Sequence, residues 1–260
     1  MKEAVIIYMD YHTEEHKKTL IKVEKTLKEN NVNYSAHNRN KLSKKILNVD
    51  LVIVIGGDGT FLKTGHFIEN QIVIGVNSDI NNKEGFLMQC NRKNFEVVLN
   101  KWINNNFKIK KLTRLKVKLN EKKIQEYALN EIYVGTKKPY QMSRYNISIS
   151  GKNENQKSSG VLIGTPFGSN AWIKSANGKV ISKGFEFIVR EPYDGQLFKH
   201  TMKNGILNDN EKVIIQSKMN NGIIVLDALS KEYPFNDGDI LEVSVGENLK
   251  YIEVEDTPKH

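Results

Sequence analysis

Cysteine is nearly absent from this sequence, because Cys90 is the only one in 260 residues. A single cysteine excludes a disulfide within the chain and is typical of a reducing compartment. Long apolar runs are also missing, since no stretch approaches the roughly 20 residues of a membrane-spanning helix. The first apolar run is too short for a signal peptide, and Glu3 and Asp10 argue against a transit peptide. These absences predict a soluble, cytoplasmic protein with no membrane partner.

Acidic residues are fewer than basic ones: Asp and Glu total 30, Lys and Arg total 39, and the net charge is +9. Such an excess favours an anionic partner, for example phosphates, nucleotides or nucleic acid. Most of the charge is scattered lysine, as on an ordinary solvated surface. The sequence has no Arg-rich arm, zinc-finger spacing or basic stripe interleaved with aromatic residues, so no nucleic-acid partner is expected.

The first part of the chain alternates apolar runs with amphipathic patterns. Three runs predict buried strands of a parallel sheet: "AVIIYM" (4–9), "DLVIVI" (50–55) and "QIVIGV" (71–76). Thr13 is placed to cap a helix with Leu20, Val23 and Leu27 on one face. Further helices are expected over residues 60–69 and 91–106. His12 and His16 have the spacing of a metal pair but no nearby third ligand, and they are interpreted as surface residues.

After about Phe107 the pattern changes to short alternating segments rich in β-branched residues and turns, such as "SRYNISISG", "EKVIIQS" and "GIIVLDA". The expected fold is therefore α/β plus all-β. A Rossmann-like parallel α/β domain is predicted over residues 1–107, and a β-sandwich domain over residues 108–245. The segment 246–260 either adds a strand to the second domain or returns to the first.

The stretch "LVIVIGGDGTFLKTGHF" (51–67) places three glycines around one aspartate at the end of an apolar strand. In an open parallel sheet, ligands bind at the carboxyl ends of strands, where loops lead into helix N-termini. Gly56 and Gly57 can adopt positive φ and let phosphate oxygens approach backbone N–H groups. Thr60 is expected to begin a helix whose N-terminus favours anions. The stretch therefore predicts a phosphate-binding turn.

The turn matches neither of the two common phosphate loops, because each would need glycine in place of Leu62. It also contains an acid, Asp58. A carboxylate beside phosphates can hold Mg²⁺ or accept a proton from an attacking hydroxyl, as a kinase aspartate does. The alternative is a hairpin, since Asp-Gly is a common turn dipeptide. A hairpin should lead into a strand, and "TFLKTGHF" is not a convincing one, so the phosphate interpretation is favoured.

Three motifs in order resemble those of the NAD kinase family. "GGDGT" after a strand resembles the superfamily that also contains lipid kinases and phosphofructokinases. "GVNSDINNKEGFL" (75–87), "ALNEIYVG" (128–135) and "SSGVLIGTPFGSNAWIKSANG" (158–178) are similar to NAD kinase motifs in particular. The resemblance implies transfer of phosphate from ATP, and also from polyphosphate, to NAD, with Mg²⁺ or another divalent cation. It also implies a homodimer or homotetramer assembled through the β domain.

The resemblance assigns a role to individual residues. Asp58 corresponds to the general base that takes the proton of the adenosine 2′-hydroxyl. Gly57, Gly59 and Thr60 shape the loop, Asn130 and Glu131 bind a ribose or amide of the dinucleotide, and Phe86 either stacks near the adenine or packs in the core. The remaining positions that contact nucleotide in the family are Ser159, Asn170, Ala171, Trp172 and Ser175. Asp227 is too loosely matched to receive a role, and the site is expected in the cleft between the domains.

Several positions depart from the usual family pattern. Ser159 stands where an aspartate normally precedes glycine, and Asn170-Ala171-Trp172 replaces Thr-Ala-Tyr. These departures resemble the divergent mitochondrial-type branch and its bacterial relatives. Loss of the carboxylate predicts weaker discrimination between NAD and NADH. The alternatives to an NAD kinase are a lipid kinase, which would favour an apolar groove or interfacial helix, and a dinucleotide sensor without turnover.

Overall fold

The computed structural model describes residues 2–10, 13–196 and 199–254. The chain divides into two compact units, Met1–Leu112 with Asn248–His260 and Thr113–Glu247. The first unit is a parallel α/β structure and the second is built from antiparallel sheets, so the predicted fold class is confirmed. Among the helices of the described residues, none has both the length and the apolar character needed to span a membrane.

Six strands and three helices make up most of the first unit. The strands are β1 (Glu3–Tyr8), β2 (Asn33–Asn38), β3 (Leu51–Gly56), β4 (Ile72–Asn77), β5 (Cys90–Asn91) and β6 (Lys108–Leu112). The helices are α1 (Glu14–Glu29), α2 (Asp58–Gly65) and α3 (Phe95–Ile103). In the sheet, β2, β1, β3 and β4 lie side by side in that order and run parallel. The carboxyl ends of these strands therefore share one edge of the sheet.

Helix α1 forms as its sequence predicts. The Thr13 side chain accepts a hydrogen bond from the His16 amide at 3.2 Å, which satisfies one of the free N–H groups of the first turn. Leu20, Val23 and Leu27 are buried against the sheet. The surface interpretation of His16 is wrong, because this side chain is only 1% exposed. His12 lies outside the described residues.

The described residues of the second unit form twelve strands in two six-stranded antiparallel sheets. The strands are β7 (Leu115–Leu119), β8 (Lys122–Lys123), β9 (Glu131–Thr136), β10 (Ser143–Ile149), β11 (Lys152–Ser158), β12 (Val161–Gly164), β13 (Phe185–Val189), β14 (Asn204–Leu207), β15 (Lys212–Ser217), β16 (Gly222–Leu226), β17 (Glu232–Pro234) and β18 (Ile240–Val245). One sheet has the order β11-β10-β15-β18-β7-β8, and the other β14-β13-β12-β9-β16-β17. Alternate side chains of both sheets, including Tyr145, Phe185 and Val243, form one buried core.

A short helix, α4 (Trp172–Ser175), covers the opposite face of the second sheet. Ile173 of this helix is buried with Leu162 and Ile188, and Tyr133 and Trp172 pack against them. This small apolar cluster fixes the position of the segment that carries the long glycine-rich motif. The last strand of the chain, β19 (Leu249–Glu253), leaves the second unit and joins the first sheet, parallel to β4 and antiparallel to β6.

Candidate functional site

The glycine turn is shorter than the sequence predicts, because helix α2 starts earlier. Helix α2 begins at Asp58 instead of Thr60, and Gly57 caps it with an extended φ of −133°. Gly56, Gly57 and Gly59 all lack positive φ, so the turn does not use the left-handed conformation that is open to Gly56 and Gly57. Gly56 is needed for space instead, since a Cβ there would lie 2.7 Å from the Thr60 hydroxyl oxygen. The turn brings the helix N-terminus directly to the end of β3.

Asp58 is half-buried and its carboxylate is held by two backbone groups. The amide of Leu87 donates to Oδ1 at 2.7 Å, and the amide of Phe86 donates to Oδ2 at 3.2 Å. Gly85 turns the chain at this point with a φ of +64°. The two bonds fix the plane of the carboxylate and leave each oxygen a second lone pair. The Phe86 side chain is 62% exposed, which excludes the core alternative for this residue.

Two cations to which the sequence analysis assigns no role lie beside the turn. Arg39 follows β2, and its guanidinium donates to the hydroxyl of buried Thr60 at 3.1 Å. Lys83 lies in the loop after β4, and its stem packs on the turn, because a Cβ at Gly57 would be 3.1 Å from Lys83 Cδ. These residues reach the turn because the loops after parallel strands converge on one edge of the sheet.

In the second unit, Asn130 precedes β9, Glu131 begins it, and both are positioned by Asp227. The Asp227 carboxylate accepts hydrogen bonds from the amides of Leu129, Asn130 and Glu131 at 2.7 to 3.2 Å. Asp227 is 4% exposed and follows β16 with a positive φ of 54°. Three amides converging on one carboxylate hold the backbone of the Asn-Glu pair in a single conformation.

The Thr-Pro-Phe-Gly segment closes over the same pair. The Thr165 hydroxyl donates to the carbonyl of Leu129, and the Thr165 amide donates to the carbonyl of Asn130 at 2.8 Å. Gly168 packs directly on the Asn130 backbone, so a Cβ at this position would clash with the Asn130 carbonyl. Gly168 is therefore required by a close approach of two backbones.

Glu131 and Asn130 present polar atoms that the described residues leave without a hydrogen bond. These are Asn130 Oδ1 and Glu131 Oε2, and both are buried. Burial raises the pKa of Glu131 to about 7, and the nearby Asp227 carboxylate adds to the rise, while the Trp172 amide opposes it. Buried polar atoms without partners are uncommon in folded proteins and mark a place where a ligand supplies the missing bonds.

Trp172 forms a half-buried aromatic cluster with a cation. Its ring stacks on Tyr133 with centroids 5.5 Å apart, and the Arg190 guanidinium lies 5.2 Å from its centre. Ser159 is tied to the same cluster, since its amide donates to the Arg190 carbonyl at 2.9 Å and its carbonyl accepts from the Tyr133 hydroxyl at 3.1 Å. The backbone of Ser159, the position where the family usually has a carboxylate, is thus joined to the cluster that contains Trp172 and the Arg190 guanidinium.

The other predicted contact residues have different exposures. Asn170 and Ser175 are exposed, and Ala171 is half-buried. The structure thus brings Asn130, Glu131, Thr165 and Gly168 into one cluster, and Ser159 and Trp172 into another, both within the second unit. Asp58, Thr60 and Phe86 lie together in the first unit. Sequence reasoning missed Arg39, Lys83 and Arg190. Arg39 and Arg190 lie outside the quoted motifs, and Lys83 lies within the motif 75–87 but received no role there.

Family models match nearly the whole chain. The model of the ATP-NAD kinase N-terminal domain matches residues 1–107, and that of the ATP-NAD kinase C-terminal domain matches residues 129–253. A probable NADH kinase of Oryza sativa subsp. japonica is 30% identical over 92% of this chain and 82% of its own length. An NADH kinase of Arabidopsis thaliana is also 30% identical, over 92% of this chain and 84% of its length.

Solved structures agree with this assignment. An NAD kinase from Archaeoglobus fulgidus in complex with ATP superposes with a TM-score of 0.77 at 25% identity, covering 97% of this chain and 94% of that one. A yeast NADH kinase complexed with NADH has the same fold, with a TM-score of 0.79 at 16% identity over 98% and 84% of the two chains. With both domain models matched in order along the sequence, the chain belongs to the ATP-NAD kinase family.

Proposed function

We propose that this family member transfers the γ-phosphoryl group of ATP to the 2′-hydroxyl of the adenosine ribose of NAD, with Asp58 as the general base. The supporting observation is the half-buried carboxylate of Asp58, fixed by the amides of Phe86 and Leu87 at the start of α2. A general base must be oriented before the substrate arrives, and these two bonds supply the orientation. The lipid kinase alternative is not supported, because both matched domains are those of ATP-NAD kinases.

The reaction needs little covalent machinery from the protein. The 2′-oxygen forms a bond to the γ-phosphorus, the bond from that phosphorus to the bridging oxygen breaks, and ADP leaves. Asp58 accepts the proton that the hydroxyl loses and later releases it to solvent. Catalysis in phosphoryl transfer comes mostly from positioning and charge stabilisation. Gly57, Gly59 and Thr60 shape the turn that positions the phosphates.

The second unit supplies the dinucleotide contacts in this proposal. Asn130 Oδ1 and Glu131 Oε2 are buried acceptors suited to ribose hydroxyl or amide donors, and Asp227 holds both residues in place. A Glu131 with a pKa of about 7 can also carry a proton and donate it to a ligand oxygen. The remaining contacts are assigned to Phe86, Ser159, Asn170, Ala171, Trp172 and Ser175.

A divalent cation is proposed to enter with the nucleotide. Within residues 2–10, 13–196 and 199–254, no three His, Cys, Asp or Glu side chains form a metal-binding group. Mg²⁺ is commonly held by one or two carboxylates together with substrate phosphates, and that arrangement fits a turn with the single acid Asp58. The cation would supply charge neutralisation on the phosphate oxygens. We also propose a cytoplasmic location and a homodimer or homotetramer.

NADH is proposed as a substrate alongside NAD. The two plant relatives at 30% identity are named NADH kinases, one of them as probable. Ser159 provides no carboxylate to attract the cationic nicotinamide of NAD. Reduced nicotinamide is neutral and loses nothing when that carboxylate is absent. We therefore expect the ratio of NADH phosphorylation to NAD phosphorylation to be higher than in relatives with the aspartate.

The test is an assay of purified protein with ATP, Mg²⁺ and either NAD or NADH, followed by measurement of NADP or NADPH. Formation of both products supports the proposal, and a parallel reaction with polyphosphate tests the second donor. Binding of NAD without any phosphorylated product would favour the sensor alternative. Omission of the divalent cation, with a chelator present, should abolish product formation if the cation enters with the nucleotide.

A further inference from the structure

Two basic side chains, Arg39 and Lys83, lie at the glycine turn. Arg39 and Lys83 come from different loops, and both reach the turn at the carboxyl edge of the sheet. Among the described residues, neither has a carboxylate at ion-pair distance. Arg39 donates to the Thr60 hydroxyl, whereas Lys83 Nζ donates to Ser78 Oγ at 3.0 Å and lies 3.4 Å from Met9 Sδ.

Other basic residues of the same unit behave differently. Lys22, Lys25 and Lys44 each lie within 4 Å of a glutamate carboxylate, those of Glu96, Glu29 and Glu69 respectively. Several surface lysines of the unit are thus paired with acids. Arg39 and Lys83 are half-buried instead and are held by neutral oxygen and sulfur atoms.

The two cations also act on each other. The pKa of Lys83 lies below its ordinary value, first because of burial, and the charge of Arg39 adds to the fall while Asp79 opposes it. Holding two like charges together at a partly buried turn is unfavourable unless an anion joins them. A phosphate at this turn would in turn need nearby cations, because the Asp58 carboxylate repels it.

The turn brings together groups of the kinds that commonly bind phosphate. Gly57 caps α2 without a side-chain hydrogen bond, so the first amides of this eight-residue helix have no side-chain cap. Helix N-termini, arginine forks and lysine ammonium groups are the usual protein ligands of phosphate oxygens. We propose that Arg39 and Lys83 bind the phosphate chain of a nucleotide at the glycine turn.

This inference rests on the proposed function only for the identity of the nucleotide. The phosphate chain belongs either to the donor triphosphate or to the pyrophosphate of the dinucleotide. Its direct test uses inorganic tripolyphosphate as the probe and calorimetric titration of the full chain. Arg39→Gln and Lys83→Gln should each weaken binding by about 10- to 100-fold, the usual worth of a hydrogen bond to a charged group. Lys44→Gln is the matched control, because it removes one charge of the same unit from a surface ion pair with Glu69.

Several results would overturn the proposal: no binding of tripolyphosphate by the wild-type protein, or a loss in Lys44→Gln as large as in the other two variants. Arg39→Lys and Lys83→Arg keep the charge and should retain most of the binding. If they lose as much as the glutamine variants, the effect is structural and the proposal is wrong. Thermal melting of every variant establishes that the folded state is being titrated.

Steady-state kinetics identify the source of the phosphate chain. A rise of KM for ATP with an unchanged KM for NAD assigns Arg39 and Lys83 to the donor, and the converse assigns them to the dinucleotide. A protein that binds tripolyphosphate through these residues but forms no NADP would contradict the proposed function and leave this inference standing. Normal NADP formation by both glutamine variants would contradict this inference and leave the proposed function standing.

Discussion

A substitution at Gly59 should affect the stability of the fold and the binding of substrate in opposite directions. It is the second residue of α2, it is exposed, and its φ is not positive. A Cβ added there would have no atom of the described residues within 4 Å. Alanine is preferred over glycine in a helix interior by about 0.5–1 kcal/mol, with a smaller gain in the first turn. Gly59→Ala should therefore raise the free energy of unfolding of the first unit by up to about 1 kcal/mol.

The same methyl group should damage activity. It would project beside Asp58, where the proposed mechanism brings a phosphate close to the backbone of the turn. A displacement of substrate by about 1 Å is sufficient to lower a rate by roughly 10²-fold. We expect kcat/KM to fall by about 10- to 100-fold while stability is unchanged or higher. Chemical denaturation and steady-state kinetics on the same preparation measure both quantities.

Gly56→Ala serves as the contrasting variant. Its Cβ would lie 2.7 Å from the Thr60 hydroxyl, so it should lower the free energy of unfolding by about 1–3 kcal/mol. A Gly59→Ala protein that is more stable and fully active would refute the reasoning, because the space beside Gly59 would then not be used by substrate. A Gly59→Ala protein as destabilised as Gly56→Ala would show that the turn itself requires this glycine.

Three further predictions concern charge. Asp58→Asn keeps the size of the side chain but removes the proton acceptor and, because an amide NH₂ cannot accept, one of the two bonds from the amides of Phe86 and Leu87. The kcat should fall by about 10²–10⁴-fold with dinucleotide affinity retained, and a near wild-type kcat means that Asp58 is not the base. Ser159→Asp should shift the ratio of kcat/KM values toward NAD, and an unchanged ratio means that residue 159 does not face the nicotinamide. The pKa of Glu131 is raised from 4.5 to about 7, so its stabilising contribution is complete below about pH 4.5 and is lost as the pH rises through about 7. The Glu131→Gln side chain cannot ionise, so this variant does not lose stability in the same way. Its free energy of unfolding minus that of the wild type should increase by up to about 3 kcal/mol as the pH rises from about 4.5 through about 7. A difference that does not change with pH would contradict the assigned pKa.

The elements that sequence reasoning predicted are those whose signal is local. Strands β1, β3 and β4 are continuous apolar runs, and each lies within one residue of its predicted position. Helix α1 begins after Thr13, whose side-chain hydrogen bond is a property of four consecutive residues. Such features depend on neighbours in the chain, so composition and spacing are sufficient to find them.

The elements that were missed depend on distant partners. Strand β2, "NYSAHN", is polar because it is the edge of the sheet and pairs only with β1. Strand β6, "KIKKL", alternates like a strand of the second domain, yet it pairs with β19 from the other end of the chain. The first unit therefore extends to Leu112 instead of the predicted residue 107. Neither pairing leaves a trace in the local sequence.

His16 carries two signals in the sequence. Its spacing to His12 is that of a metal pair, and the lack of a third ligand nearby then favours a position on the surface. Its spacing to Leu20 and Val23 is four and seven residues, the period of the buried face of a helix, and His16 lies on that face. Arg39 and Lys83 were missed for a different reason, because only the parallel order of β2, β1, β3 and β4 brings their loops to the glycine turn.

Asp227 connects fold and chemistry in a way that neither pattern nor motif indicates. It follows β16, which pairs with β9 so that Leu226 lies opposite Ile132. That register, with the positive φ of Asp227, turns its carboxylate onto the amides that precede β9. The same negative charge helps to raise the pKa of Glu131. One acid thus fixes the backbone of the Asn-Glu pair and also tunes the protonation of its glutamate, so a residue distant in sequence controls both the geometry and the charge of the proposed dinucleotide contacts.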